Sequence, residues 1–240
     1  MTSLTREKRY DFHAANLRAT GHALEQIERL GKDALRRADE AATLTATRLY
    51  ALLLAASLEV RLLKLLYEAR VSETDRSKIL AKGSQRDRWA EALDSGFRRV
   101  YGIAPPRALD TSLDETPRHR RSVLIDVLDA DLRPLIELSN TLAHGQWQYA
   151  FTHEMDALSA DSMKTLNTEN LRGLQHKREI AKALANSVQD LLISASTFDR
   201  DFDSHFKEIE RRRHQLTRDN FEGYVAFLRR RHARRHRYIR

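Results

Sequence analysis

Between Leu49 and Leu66 the chain is so apolar that a helix made of it has almost no face left for water. Leu49, Leu52, Leu53, Leu58, Leu62, Leu65 and Leu66 fall all round such a helix. With Leu44 ahead of them, the spacing predicts one central core helix over about residues 39–69. A helix of this kind cannot stand alone, so other helices have to cover it. Glu59, Arg61 and Lys64 interrupt the run, and three charges make it a poor membrane span. Glu59 is the informative one, because a carboxylate in an apolar field is costly unless paired. It has three outlets: the surface, a pair with Arg61 or Arg70, or a polar cleft elsewhere in the fold.

The remainder of the chain is patterned to supply the covering helices. Glycine and proline are scarce, and no run alternates apolar and polar residues long enough for a sheet. A first helix is expected over residues 6–37, weakened by Gly21 and Gly31 at about 1 kcal/mol each if exposed. Ser72 and Asp75 open a short helix to Ala81, and a further one follows from Gln85 to Tyr101 with Trp89, Leu93, Phe97 and Val100 on one face. Gly102 to Thr116, with Pro105-Pro106, reads as a long loop. Thr116-Pro117 reads as a helix cap and first residue, and Asp129 or Asp131 as the cap of a new helix containing Pro134. Residues 153–167 read as irregular. A long helix follows from Thr168 through Phe198, matching the Leu-rich helix in length and suited to pack antiparallel to it. Its continuation runs to Gln215, and a last helix covers about residues 218–235. The expected fold is an all-α up-down bundle of four to five main helices with a C-terminal helical extension. Residues 1–167 form the core, residues 168–240 complete or extend it, and a basic tail occupies 229–240. The core is expected around Leu52, Leu58, Leu62, Leu65, Leu138, Leu142 and Trp147.

Charge and composition limit the chemistry. The 240 residues contain no cysteine, which removes disulfides, thiolate zinc sites and thiol nucleophiles. His153-Glu154 with Asp156 lacks the H-E-x-x-H spacing of a metal helix, and neither a Gly-rich phosphate loop nor G-x-S-x-G is present, so no metal or cofactor is expected. The first residues have no apolar leader segment, so a cytoplasmic protein without a membrane anchor is expected. The net charge of +8 is concentrated: residues 207–240 hold 12 Lys and Arg against 4 Asp and Glu, while the preceding 206 residues balance at 30 of each. Arg229, Arg230, Arg231, Arg234 and Arg235, with Tyr238 among them, form either a solvated end or an RNA-binding strip.

One stretch carries titratable chemistry. In LRPLIELSNTLAHGQW, residues 132–147, Leu135, Leu138 and Leu142 make an apolar stripe widened by Ile136 and Ala143, and Gly145 stands where a helix ends. Asn140 and His144 are four apart and share a face, with Glu137 near the same line. Such a histidine is either a cap complementing the helix dipole or an acid-base group. Trp147, Tyr149 and Phe151 follow as an aromatic knot, read as packing rather than base stacking.

N-T-L-A-H-G-Q-W resembles the signature of the HEPN superfamily, all-helical domains that often act as metal-independent ribonucleases. The resemblance extends from about Ala42 to Phe151: the LLLAASLEVRLLKLLYEA helix, an aromatic helix, a variable loop and the signature helix occur in the family's usual order. It implies that His144 is the motif histidine, Asn140 the polar residue of the motif, and Ser139 the position of the motif arginine. That arginine is missing here, and Arg133 or an Arg of a second subunit is the alternative supplier. Family members often carry an acidic residue in the first core helix, which favours Glu59 pointing into the cleft beside His144. The resemblance further implies a homodimer with a composite site, RNA as ligand, and a setting in toxin–antitoxin or antiviral defence systems with an antitoxin or defence partner protein. Two functions follow: a HEPN-type ribonuclease attenuated or abolished by Ser139, or a non-catalytic HEPN-like dimer that binds RNA or a partner protein; a helical scaffold unrelated to either is the third reading.

Overall fold

A computed structural model describes residues 4–237, and the side chains of residues 234–237 lie outside that description together with both termini. Among the described residues the chain is all-α, and the only β pairing is an isolated bridge between Phe151 and Leu158. Helix α1 (Arg6–Arg37) and α2 (Glu40–Leu66) form an antiparallel hairpin. Its turn is two residues long. Ala38 adopts a left-handed conformation (φ 58°) that closes α1, and the Asp39 carboxylate then caps α2 by accepting from the Ala42 N–H. At the far end, Arg6 reaches across the hairpin to the carbonyls of Tyr67, Glu68 and Val71, satisfying the open C-terminus of α2 and the turn after it.

Helix α3 (Glu73–Leu80) returns the chain, so that α4 (Gln85–Val100) runs alongside α2 in the same direction: Gln85 bonds Ala55 O, Arg88 pairs with Glu59, and Arg99 donates to Arg70 O. Ser72 and Ser84 cap the two helices by accepting from Asp75 N and Asp87 N. The segment after Gly102 contains the short α5 (Leu109–Ser112), and α6 (Glu115–Val127) then runs back along α4, as the Arg121–Asp94 and Arg86–Asp129 pairs show. Here two expectations are corrected. The cap of α6 is Asp114, not Thr116, and Pro117 sits in the first turn, where a missing N–H costs nothing. No new helix is capped at Asp129 or Asp131. Instead Leu128–Leu132 forms a π turn, whose wider bonding pattern carries the helix past Pro134 into α7 (Arg133–Ala143).

Residues expected to be irregular contain α8 (Ala160–Thr168), capped by Ser159. The long helix expected from Thr168 to Phe198 breaks at Ser194, which ends α9 (Leu171–Ile193) and caps α10 (Ala195–Arg218) through Thr197 N. Helices α9 and α10 form a second antiparallel hairpin, pinned by His205–Asp190 near the turn and His176–Asp219 at the open end. Helix α11 (Phe221–Arg237) crosses back to α1. Against α2, α9 is parallel, not antiparallel. Gly31 of α1 lets Leu171 approach Ala46, Arg61 donates to Asn186 Oδ1 at 2.5 Å, and Arg70 donates to Ile193 O at 2.9 Å. The reason is connectivity: α6 and α7 carry the chain back, so α9 starts at the end where α2 started.

One apolar cluster joins these elements. Leu58, Leu62, Leu65, Leu138 and Leu142 are buried in it as expected, while Leu52 and Trp147 are partly exposed at its margin. Helix α9 belongs to its centre through Leu184, Val188, Leu191 and Leu192, so the C-terminal third completes the core before α10 and α11 extend it. Among the described residues, no helix is long and apolar enough to cross a membrane.

Candidate functional site

Helix α7 is amphipathic over its whole length. Leu135, Ile136, Leu138 and Leu142 are buried, and Arg133, Glu137, Asn140 and His144 form an exposed line on the opposite side. His144 ends the helix, its N–H donating to Asn140 O at 3.0 Å. Gly145 follows at φ +77°, a conformation that favours glycine, and its N–H donates to Leu142 O. The sequence thus places Asn140 and His144 on one face, and the structure leaves both side chains open to solvent. Among the described residues neither side chain makes a hydrogen bond or ion pair. Ser139 is half-buried beside the line.

The carboxylates proposed to orient His144 are engaged elsewhere. Glu59 pairs with Arg88 at 3.3 Å, with its side chain 47% exposed. Its outlet is therefore an ion pair at the surface, with an arginine of α4 rather than Arg61 or Arg70, and not a cleft beside His144. Glu137 pairs with Arg133 at 2.8 Å on the helix surface. That pair occupies Arg133, which also lies about 16 Å up the helix axis from His144. A single copy of the chain presents an imidazole and a carboxamide at the end of α7, and among the described residues no arginine is bonded to them.

A compact hairpin is fixed to the same helix end. Trp147 donates its indole N–H to Leu142 O at 2.9 Å and packs against the core. Beyond it, Phe151 pairs with Leu158, Thr152 N donates to Ala157 O, and Ser159 N donates to Ala150 O. Gln146 ties the two sides, accepting from Phe151 N and donating to Met155 Sδ. Ala150 is fully buried between Tyr149 and Phe151, which are 52% and 40% exposed. The reading of these two rings as packing is therefore corrected. The small residue between them was the signal: it is the one that turns inward.

The basic C-terminus is only partly free. Arg229 donates Nε to Leu35 O at 3.1 Å, capping the end of α1, and Arg231 lies over the Phe227 ring at 5.6 Å. Arg230 is exposed. Arg234 and Arg235 side chains and Tyr238 lie outside the described residues.

Sequence reasoning missed a cavity of about 430 Å³ where α8, the start of α9 and the α10–α11 turn converge. Its walls include Lys164, Glu169, Arg172, His176, Lys177 and Asp219. His176 is 1% exposed and shares Asp219 with Arg172, at 2.7 and 2.8 Å. Lys177 pairs with Glu169. The hydrogen bond from His176, joined by that from Arg172, holds the Asp219 carboxyl below its usual range. His176 lies inside the apolar pattern of α9 and its partner is 43 residues away, so spacing gives no hint of the pair. Among the described residues, no group of three or more His, Asp or Glu side chains is placed to hold a metal ion. No family model, no curated protein and no solved structure matches the chain.

Proposed function

We propose that this chain is a HEPN-type RNA-directed protein, working as a homodimer around the end of α7, with its metal-free ribonuclease chemistry attenuated by Ser139. The observation that carries the reading is the end of α7, where the N-T-L-A-H-G-Q-W stretch holds Asn140 and His144 in fixed backbone positions with both side chains open and unbonded. In the proposed chemistry an RNA 2′-OH attacks the adjacent phosphorus. One His144 takes the 2′ proton, and the second copy's His144 gives a proton to the departing 5′ oxygen. The products are a 2′,3′-cyclic phosphate and a free 5′-OH. Asn140 donates to a non-bridging phosphate oxygen. Ser139 supplies a hydroxyl where an arginine would supply charge, and loss of one preorganised charged donor costs about 100- to 1000-fold in rate. This leaves RNA binding as the dominant activity and cleavage as a residual one.

The test is cleavage of a fluorescent single-stranded RNA in EDTA by the chain, by Ser139→Arg, and by Ser139→Arg with His144→Ala. The Ser139→Arg variant is expected to cleave about 100-fold faster or more, and His144→Ala to remove that gain while the helical circular dichroism is retained. Cleavage that requires magnesium, or that survives the loss of His144, would place the activity elsewhere.

A further inference from the structure

The hairpin of residues 146–159 displays four large apolar side chains to water: Tyr149, Phe151, Met155 and Leu158, all between 40% and 58% exposed. Exposure of this kind on a loose loop would mean little. Here the backbone is held by the bonds described above, and Trp147 moors the hairpin to the last turn of α7. The display is therefore built in.

We propose that Tyr149 and Phe151 form a stacking platform for unpaired nucleobases of the RNA that reaches His144. This rests on the RNA reading above and names the substrate as single-stranded RNA, held by its bases rather than its backbone. Three observations support it. First, the two rings alternate with the buried Ala150 and so leave the same face of an extended segment. Residues two apart in such a segment are separated by about 6.6 Å, close to twice the stacking rise of about 3.4 Å, so one base fits between the rings. Second, among the described residues neither ring has an aromatic partner or a cation over it, unlike Tyr67 or Phe198, so neither is already engaged in a stacking or cation–π contact. Third, the tip carries Glu154 and Asp156, with Asp156 bonded to Thr152. These charges repel a phosphate backbone. A nucleic acid at this hairpin has to be gripped by its bases, which excludes a duplex whose bases are already stacked.

The platform and the imidazole belong to one rigid piece of chain, because Gly145 and Trp147 connect them through bonds to Leu142. A base held by the rings fixes which phosphate lies against His144.

The experiment compares a single-stranded 12-nucleotide RNA, the same RNA with abasic sites, and its duplex. Each is titrated against the full chain, the Tyr149→Ala/Phe151→Ala double variant, the Tyr149→Phe/Phe151→Tyr double variant, and Leu158→Ser. Molecular mass is measured at the same concentrations. Stacking of one base predicts that the alanine variant loses about tenfold or more in single-strand affinity. The abasic RNA should lose the same factor on the intact chain, whereas the ring-retaining variant and Leu158→Ser keep full affinity. Equal single-strand affinity for the intact chain and the alanine variant would overturn the platform while leaving the RNA reading standing. The platform is overturned in the same way if the alanine variant and Leu158→Ser both break an oligomer, which would make the patch a protein interface. No binding of any RNA by the intact chain would defeat the RNA reading itself, and the platform with it.

Discussion

Gly96 is buried where α4 crosses α9, and the crossing is closer than any other side chain permits. A Cβ added there would stand 2.7 Å from Leu191 Cγ and 2.7 Å from Leu191 Cδ2, with Leu192 Cδ2 at 3.5 Å. The Cγ atom is a branch point near the backbone of α9: rotation about χ2 moves only the Cδ atoms, and a change of χ1 has no room in a close-packed core, so the helices have to part. Overpacking of this kind costs about 1–3 kcal/mol. The helix propensity gained on replacing glycine by alanine returns up to about 1 kcal/mol. Since the contact falls on a branch atom in a fully buried residue, Gly96→Ala is expected to lose about 1–2 kcal/mol net. That lowers Tm by about 2–8 °C in a chain of this size. Gly21 provides the control, because it is also helical but has nothing within 4 Å of an added Cβ. There alanine meets no clash, and Gly21→Ala should gain up to about 1 kcal/mol. Urea midpoints and thermal scans of both variants decide the matter. If Gly96→Ala were as stable as Gly21→Ala, α4 and α9 would not cross at this point and the core arrangement would be wrong.

Arg213 bonds both Asp126 and the largely buried Asp131, whose carboxyl burial pushes above its usual range against the pull of the guanidinium. Arg213→Ala should cost about 3 kcal/mol in urea unfolding, and adding Asp131→Asn should recover most of it, because the penalty is an unpaired buried charge. At Asp219 the folded-state carboxyl is depressed, so the His176–Arg172 pairing contributes stability above the ordinary carboxylate range and loses it as pH falls through the lowered value. Across the carboxylate range the stability difference between the chain and Asp219→Asn should therefore be present above about pH 4 and shrink below it; a difference that grows as pH falls through that range would reverse the sign of the argument. If the arginines of residues 229–240 neutralise phosphates, RNA affinity should fall with salt at a logarithmic slope of about 0.7 per contact, and deleting residues 229–240 should flatten it. Arg229→Ala alone should change the slope little, because its guanidinium is bound to Leu35 O.

The fold was legible wherever a signal was local. The bounds of α1, the serine cap of α3, and the burial of Leu58, Leu62, Leu65, Leu138 and Leu142 all follow from spacing within a few turns. The departures arise where two local rules compete. Pro134 reads as a helix start, yet a π turn of five residues absorbs it, because the flanking Leu124, Val127, Leu128, Leu132 and Leu135 are all core residues and the apolar surface is continuous. Ser194 reads as one polar residue in a long helix, yet it closes one helix and opens the next, since Leu191, Leu192 and Phe198 have to face the same core from opposite directions. Gly31 reads as a weak point in α1 and is a contact: its missing side chain is the space that Leu171 fills.

The candidate site shows the same division at finer scale. Asn140 and His144 share a face because four residues are about one turn, and this depends on nothing outside α7. Glu59 depends on everything outside α2. Its partner is chosen by α3, which reverses the chain so that α4 runs beside α2 and delivers Arg88 to the carboxylate. A charge in an apolar helix therefore announces that it needs a partner without saying which. His176 is the converse: a residue inside a core stripe, matched by an aspartate at the end of the following helix, because α9 and α10 are of nearly equal length and fold back on each other. What decides between a catalytic and a binding role for α7 is likewise not contained in α7. The helix supplies an open imidazole and carboxamide, the hairpin supplies two exposed rings, and under the proposed function the missing positive charge has to come from another copy or from an arginine placed at residue 139. A chain working in that way grips RNA before it cuts it, so substitutions in the hairpin are expected to weaken binding and, because the rings set which phosphate lies against His144, to lower or shift cleavage with it.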